Sequence, residues 1–106
     1  MITIKVRKKN GSYVEFISKG HAGYAEAGQD IVCAAVSALI ITTVNSLEKF
    51  TDDKFDVQEE DGFVSIHFRN DLSERGMLLM DSLLLGLTEI AGSYNNRYLT
   101  VKVKEV

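Results

Sequence analysis

The stretch "GHAGYAEAGQDIVCAAVSAL", Gly20 to Leu39, is where the apolar periodicity of the chain changes, and its reading decides the fold. Upstream, Ile2, Ile4 and Val6 alternate with Thr3, Lys5 and Arg7, the pattern of a half-buried strand. "KNGS" supplies a turn centred on Asn10-Gly11, and Tyr13 to Ser18 completes a hairpin. Downstream, from Asp30 to about Phe50, Val32, Val36, Leu39, Thr43, Leu47 and Phe50 recur at spacings of three and four, which predicts an amphipathic helix. Asp30 is placed to cap it. The quoted stretch is therefore a Gly-rich connection between a strand and a helix.

The pattern then repeats in outline. Phe55 to Glu59 and Phe63 to Arg69 read as a second hairpin turning at Asp61-Gly62. Asp71 with Glu74 reads as a capping arrangement that opens a second helix running to about Ala91. Leu99, Val101 and Val103 alternate with polar residues in a last strand. The order is ββαββαβ. Strands with one apolar face each put both helices on the same side, which predicts a two-layer α+β domain with a mostly antiparallel sheet. The second helix has a core stripe of Leu72, Leu79, Leu83, Leu87 and Ile90. Met77, Leu78, Met80, Leu84 and Leu85 carry apolar surface further round the cylinder, which points to a homodimer burying the surplus.

Composition narrows the function classes. One domain spans residues 1–106, 45% of them hydrophobic and 25% charged. A formal net charge of -3 argues against direct nucleic-acid binding, which needs clustered Lys and Arg. No secretory signal pattern is seen at the amino terminus, and the runs "IVCAAVSALII" and "MLLMDSLLLGL" read as too short or too interrupted to span a bilayer. A single cysteine excludes an intrachain disulfide, so the expected compartment is the cytoplasm. Two histidines and one cysteine, widely spaced, make no zinc site, and no cofactor is expected.

The chemistry concentrates in the quoted stretch. With Asp30 as cap, Cys33 is the third helical residue, near unpaired N–H groups and the positive end of the helix dipole, both of which favour thiolate. The plainer reading is a space-filling cysteine in "VCAAV". His21 supplies what a cysteine hydrolase also needs, a base for the thiol proton and an acid for the departing amine; alone, a loop histidine reads as a surface residue. Gly20, Gly23 and Gly28 permit a connection that rearranges around substrate, or simply turn the chain. The helix-start N–H groups, that of Cys33 included, are candidates for an oxyanion site. Ser37, one turn beyond Cys33, either orients the histidine, holds a water or packs. Asp30 caps first and orients His21 second. His67, between Ile66 and Phe68, reads as an exposed sheet residue. "TDDK" and "EEDG" read as solvated turns.

The combination of Gly-His with Asp-x-x-Cys-Ala, Gly20-His21 and Asp30 to Ala34, resembles the signature of the ribosomal-processing cysteine protease family Prp, and the likeness extends over the whole chain in length and element order. By position, the resemblance makes Cys33 the nucleophile and His21 the proton donor and acceptor, with Asp30 and Ser37 as further motif positions. It implies a homodimeric cytoplasmic endopeptidase. Its substrate would be the short N-terminal extension of large-subunit ribosomal protein twenty-seven, cut after an aromatic residue and gripped by residues Ala22 to Gln29. Two rivals stand beside it: a non-catalytic, ribosome-associated binding module with Cys33 in its core, and a cysteine hydrolase of other specificity.

Overall fold

The computed structural model describes residues 1–26 and 28–106. Among them the chain forms β1 (Ile2–Lys9), β2 (Ser12–Lys19), α1 (Ile31–Phe50), β3 (Phe55–Glu60), β4 (Phe63–Phe68), α2 (Glu74–Ser93) and β5 (Leu99–Glu105). The ββαββαβ order is the expected one. The strands form one sheet in the order β3-β4-β2-β1-β5. Three pairings are antiparallel, and β1 with β5 is parallel. That parallel pair is joined through everything between, so the amino-terminal strand ends up internal.

Asn10 and Gly11 both take positive φ, 52° and 80°, the geometry of a tight hairpin turn that matches strand twist. The core lies on one face of the sheet. Ile2, Ile4 and Val6 of β1, Phe16 of β2 and Ile66 and Phe68 of β4 meet Val32, Val36, Ile40 and Leu47 of α1 and Met80, Leu83 and Leu87 of α2. Both helices thus cover the same side.

The expected stripes hold at Val32, Val36, Thr43 and Leu47 of α1 and at Leu83 and Leu87 of α2, and differ at single positions. On α1 the buried set is Val32, Val36, Ile40, Thr43 and Leu47. Leu39 and Ile40 are both apolar, so hydropathy cannot choose between them. Ile40 turns to the sheet, while Leu39 packs between the helices, its Cδ1 3.0 Å from where a Cβ on Gly86 would sit. Phe50, at the last helical turn, is 54% exposed rather than core. On α2 the core residues are Met80, Leu83, Leu87 and Ala91, with Leu72, Leu79 and Ile90 only flanking them. The cap of α2 is Ser73, not Asp71. Asp53 accepts bonds from the Ser73 N–H and hydroxyl at 3.0 and 2.8 Å, which aims Oγ at the Gly76 N–H, 3.1 Å away. A residue from a distant turn therefore selects the helix start.

Each helix is 20 residues long and apolar enough to cross a membrane by length and composition, contrary to the expectation of runs too short to do so. Each has its buried face packed on the sheet. A further link joins the layers: the Tyr13 hydroxyl of β2 donates to Asp81 of α2 at 2.5 Å.

Candidate functional site

The connection from β2 to α1 is held at four points. At its start, Gly20 donates its N–H to the Gly62 carbonyl at 2.8 Å. Gly20 has φ +102°, and a Cβ there would lie 2.3 Å from the Met1 carbonyl oxygen, so glycine alone fits this close approach. At its end, Asp30 caps α1 as expected, Oδ1 accepting from Val32 and Cys33 at 3.0 and 2.9 Å. Its other oxygen accepts from the N–H groups of Tyr24 and Ala25 at 3.0 and 3.3 Å. The Cys33 N–H, followed by those of Ala25 and Tyr24 with a contribution from the Cys33 thiol, holds the Asp30 carboxyl below its ordinary range. In the middle, Ala22 is buried and donates its N–H to Cys33 Sγ at 3.2 Å. Finally, the Tyr24 ring packs on Tyr94 and Tyr98. Ala27, within the expected gripping segment, lies outside the described residues.

All seven residues singled out from the sequence line a single open cleft of about 930 Å³: Gly20, His21, Gly23, Gly28, Asp30, Cys33 and Ser37. Cys33 is half-buried at the start of α1, with its sulfur at the cleft wall. Ser37 is exposed one turn on. The far wall comes from Phe63 and Val64 of β4, and its rim from Glu59, Glu60 and Asp61. Apolar wall and acidic rim together suit an extended polypeptide with apolar side chains better than a small anionic ligand.

Two details depart from expectation. The Cys33 N–H is engaged by Asp30, so the amide presented at the sulfur is that of Ala22 on the connection, not one of the capped helix amides. And the His21 ring rests against the β3–β4 turn. Its Nε2 is 3.9 Å from Asp61 Oδ2 and would be 2.7 Å from a Cβ on Gly62. Among the described residues the hydrogen-bond donor at the sulfur is the Ala22 amide, while the imidazole faces the same cleft from the opposite rim. Gly62 was read from the sequence only as a turn residue. Its φ of +70° serves the turn, and its missing side chain makes room for the histidine. The local Asp-Gly signal reports the first role and is silent on the second.

His67 is exposed, as expected. No group of three or more metal-ligating side chains occurs among the described residues.

Comparison with known proteins places these features. Residues 1–99 match the sequence profile of the family described as cysteine protease Prp. A ribosomal processing cysteine protease Prp of Staphylococcus aureus is 31% identical over 98 residues, 90% of this chain and 92% of the relative. A crystal structure of an essential ribosomal processing protease Prp from S. aureus, in complex with a covalently linked product peptide, superposes with a TM-score of 0.93 at 29% identity, covering 98% of this chain and 100% of that one. A Streptococcus mutans crystal structure is similar at a TM-score of 0.86 and 34% identity, covering 100% of this chain and 96% of that one.

Proposed function

The chain belongs to the cysteine protease Prp family, and from that premise we propose that it is a cytoplasmic endopeptidase using Cys33 and His21. Its substrate is the short N-terminal extension of large-subunit ribosomal protein twenty-seven, cut after an aromatic residue. The observation that carries this reading is the cleft that brings a helix-start thiol, an amide donor at its sulfur and an imidazole on the same connection to one polypeptide-sized groove. The S. aureus relative with its covalently linked product peptide supports it.

The proposed steps are these. Rotation of the His21 side chain off Gly62 carries the ring across the cleft to the thiol, where it takes the proton. Cys33 Sγ attacks the carbonyl of the aromatic residue itself, whose ring rests on the apolar wall of Phe63 and Val64. As charge passes from sulfur to the carbonyl oxygen, the Ala22 N–H follows it and serves as the oxyanion donor. The tetrahedral species collapses when His21 gives its proton to the leaving amine. Water, deprotonated by His21, then hydrolyses the thioester and frees the thiol. Asp30 keeps the helix start and the connection in register with one another, and Ser37 borders the groove one turn along.

The protein acts as a homodimer. Leu78 and Leu85, seven residues apart on one face of α2, are 69% and 63% exposed, a surface that a second copy would bury. Light scattering of Leu85→Glu beside the native chain tests this.

The deciding experiment is incubation with the extended ribosomal protein, read by intact mass. The native chain removes the extension. Cys33→Ala, which loses only the sulfur, leaves it in place and is slower by at least about a thousandfold. An unprocessed substrate with the native chain overturns the substrate assignment, and processing by the alanine variant overturns the nucleophile.

A further inference from the structure

Three tyrosines far apart in sequence meet at the corner of the fold beside the active-site connection. Tyr24 comes from the connection, Tyr94 is the C-cap of α2, and Tyr98 directly precedes β5. Ring centroids are 5.7 Å apart for Tyr24–Tyr94, 5.2 Å for Tyr24–Tyr98 and 5.5 Å for Tyr94–Tyr98. All three pairs are edge-on, at 71°, 79° and 75°, the arrangement aromatic quadrupoles favour.

The socket is built at a cost. Between Tyr94 and Tyr98 the chain turns through two successive non-glycine residues with left-handed backbone, Asn95 at φ 55° and Asn96 at φ 59°. Asparagine tolerates that region better than most residues, yet two in a row are uncommon, and such strain persists where surrounding structure enforces it. The turn is fixed by Asn96 N–H donating to the Ala91 carbonyl at 2.8 Å and Arg97 N–H donating to that of Tyr94 at 3.1 Å. None of the three rings lines the cleft, so contact with substrate does not explain them.

What they do explain is the direction of one amide. Two residues before Tyr24, Ala22 donates to Cys33 Sγ. Its methyl is buried, which sets its depth. The orientation of its N–H depends on the anchors to either side. One is the Gly20 bond to Gly62. The other is Tyr24, held by its ring in the socket and by its own N–H on Asp30. We infer that Tyr24, seated against Tyr94 and Tyr98, is a positioning residue that holds the Ala22 N–H on the Cys33 sulfur and so sets the nucleophilicity of that thiol. The inference rests on the peptidase reading for its purpose, but its physical content is measurable without any peptide.

The experiment is alkylation of the full chain by iodoacetamide as a function of pH, for the native protein, Tyr24→Phe, Tyr24→Ala and Tyr98→Leu. The plateau rate reads access to the thiol, and the pH midpoint reads what stabilises charge on the sulfur. Tyr24→Ala and Tyr98→Leu move the midpoint upward by about half a pH unit, about a threefold loss of rate on the acid side, whatever happens to the plateau. Tyr24→Phe keeps the ring and the native midpoint. In peptide cleavage the two disruptive variants lower kcat and leave KM near native. An unmoved midpoint in folded Tyr24→Ala, or an equal shift in Tyr24→Phe, overturns the inference. Should Tyr24→Ala fail to fold, Tyr98→Leu decides on the same criterion. Shifted midpoints in a chain that cleaves no peptide sink the peptidase reading and leave the inference standing; native midpoints with efficient cleavage do the reverse.

Discussion

The molecule contains two hairpin-plus-helix units, β1β2α1 and β3β4α2, with helices of equal length and shorter strands in the second, followed by β5. They differ in the joint between hairpin and helix. In the second unit, residues 69–73 pass directly from β4 to α2, and Ser73 caps the helix through one bond to Gly76. In the first, residues 20–30 make a detour, and Asp30 gathers four backbone N–H groups, two from the helix and two from the detour. Both joints begin alike, Gly20 donating to the Gly62 carbonyl and Arg69 to that of Lys54. The first passes under a backbone carbonyl, that of Met1, where its residue is glycine, while the second has arginine at the matching place. The difference teaches where the candidate site lies. The same local scaffold serves twice, and the longer joint, capped by a carboxylate rather than a hydroxyl, lines the cleft that holds Cys33 and His21.

That comparison can be broken at several points. The largest effect belongs to Gly20→Ala, whose new methyl meets the Met1 carbonyl and whose positive φ opposes any side chain. It costs about 2 kcal/mol in chemical denaturation, whereas Arg69→Ala, at the matching place in the other unit, changes stability far less; equal costs would erase the distinction.

Next come the caps. Ser73→Ala costs about 1 kcal/mol. Asp30→Ala lowers the thermal midpoint further, because four N–H groups lose their acceptor instead of one, and it alone also slows peptide cleavage. The Asp30 carboxyl sits below its ordinary value of 3.8, chiefly through the Cys33 N–H. Its stabilising contribution is therefore complete above pH 3.8 and is lost as pH falls below that value through the folded-state value. Acid titration of the native chain and Asp30→Asn, followed by NMR of the Tyr24 and Cys33 amides, checks the sign, the midpoint being absent from the asparagine variant.

Of the same order as the Ser73 cap is Tyr13→Phe, which removes the bond that ties the first unit's β2 to the second unit's α2. It costs about 1 kcal/mol. Burial first, then the hydrogen bond and charge of Asp81, raises the Tyr13 phenol well above its ordinary 10.0. Native stability is thus full below pH 10 and declines as pH rises beyond it, a decline that Tyr13→Phe lacks in alkaline denaturation curves.

The element order was legible because strand and helix periods differ sharply and the turns at Asn10-Gly11 and Asp61-Gly62 are marked by residues that tolerate positive φ. Asp30 was legible for a similar reason, since a cap acts on the helix immediately after it. Part of the α2 stripe was not. Leu78, Leu79 and Met80 are interchangeable by hydropathy, and which one turns inward depends on where the sheet lies. Ser73 displaced Asp71 as cap because Asp53, twenty positions away, reaches it.

What the chain determined alone is local: where the backbone switches from extended to helical, which carboxylate starts α1, and that one thiol and one imidazole flank a Gly-rich connection. Each follows from interactions within a few residues. The tertiary structure decided the rest, namely the parallel pairing of β5 with β1, the resting place of His21 against Gly62, the Ala22 amide on the sulfur and the meeting of Tyr24 with Tyr94 and Tyr98. These are contacts between segments distant in sequence, and no local periodicity encodes a partner that only the packing of sheet and helices brings near.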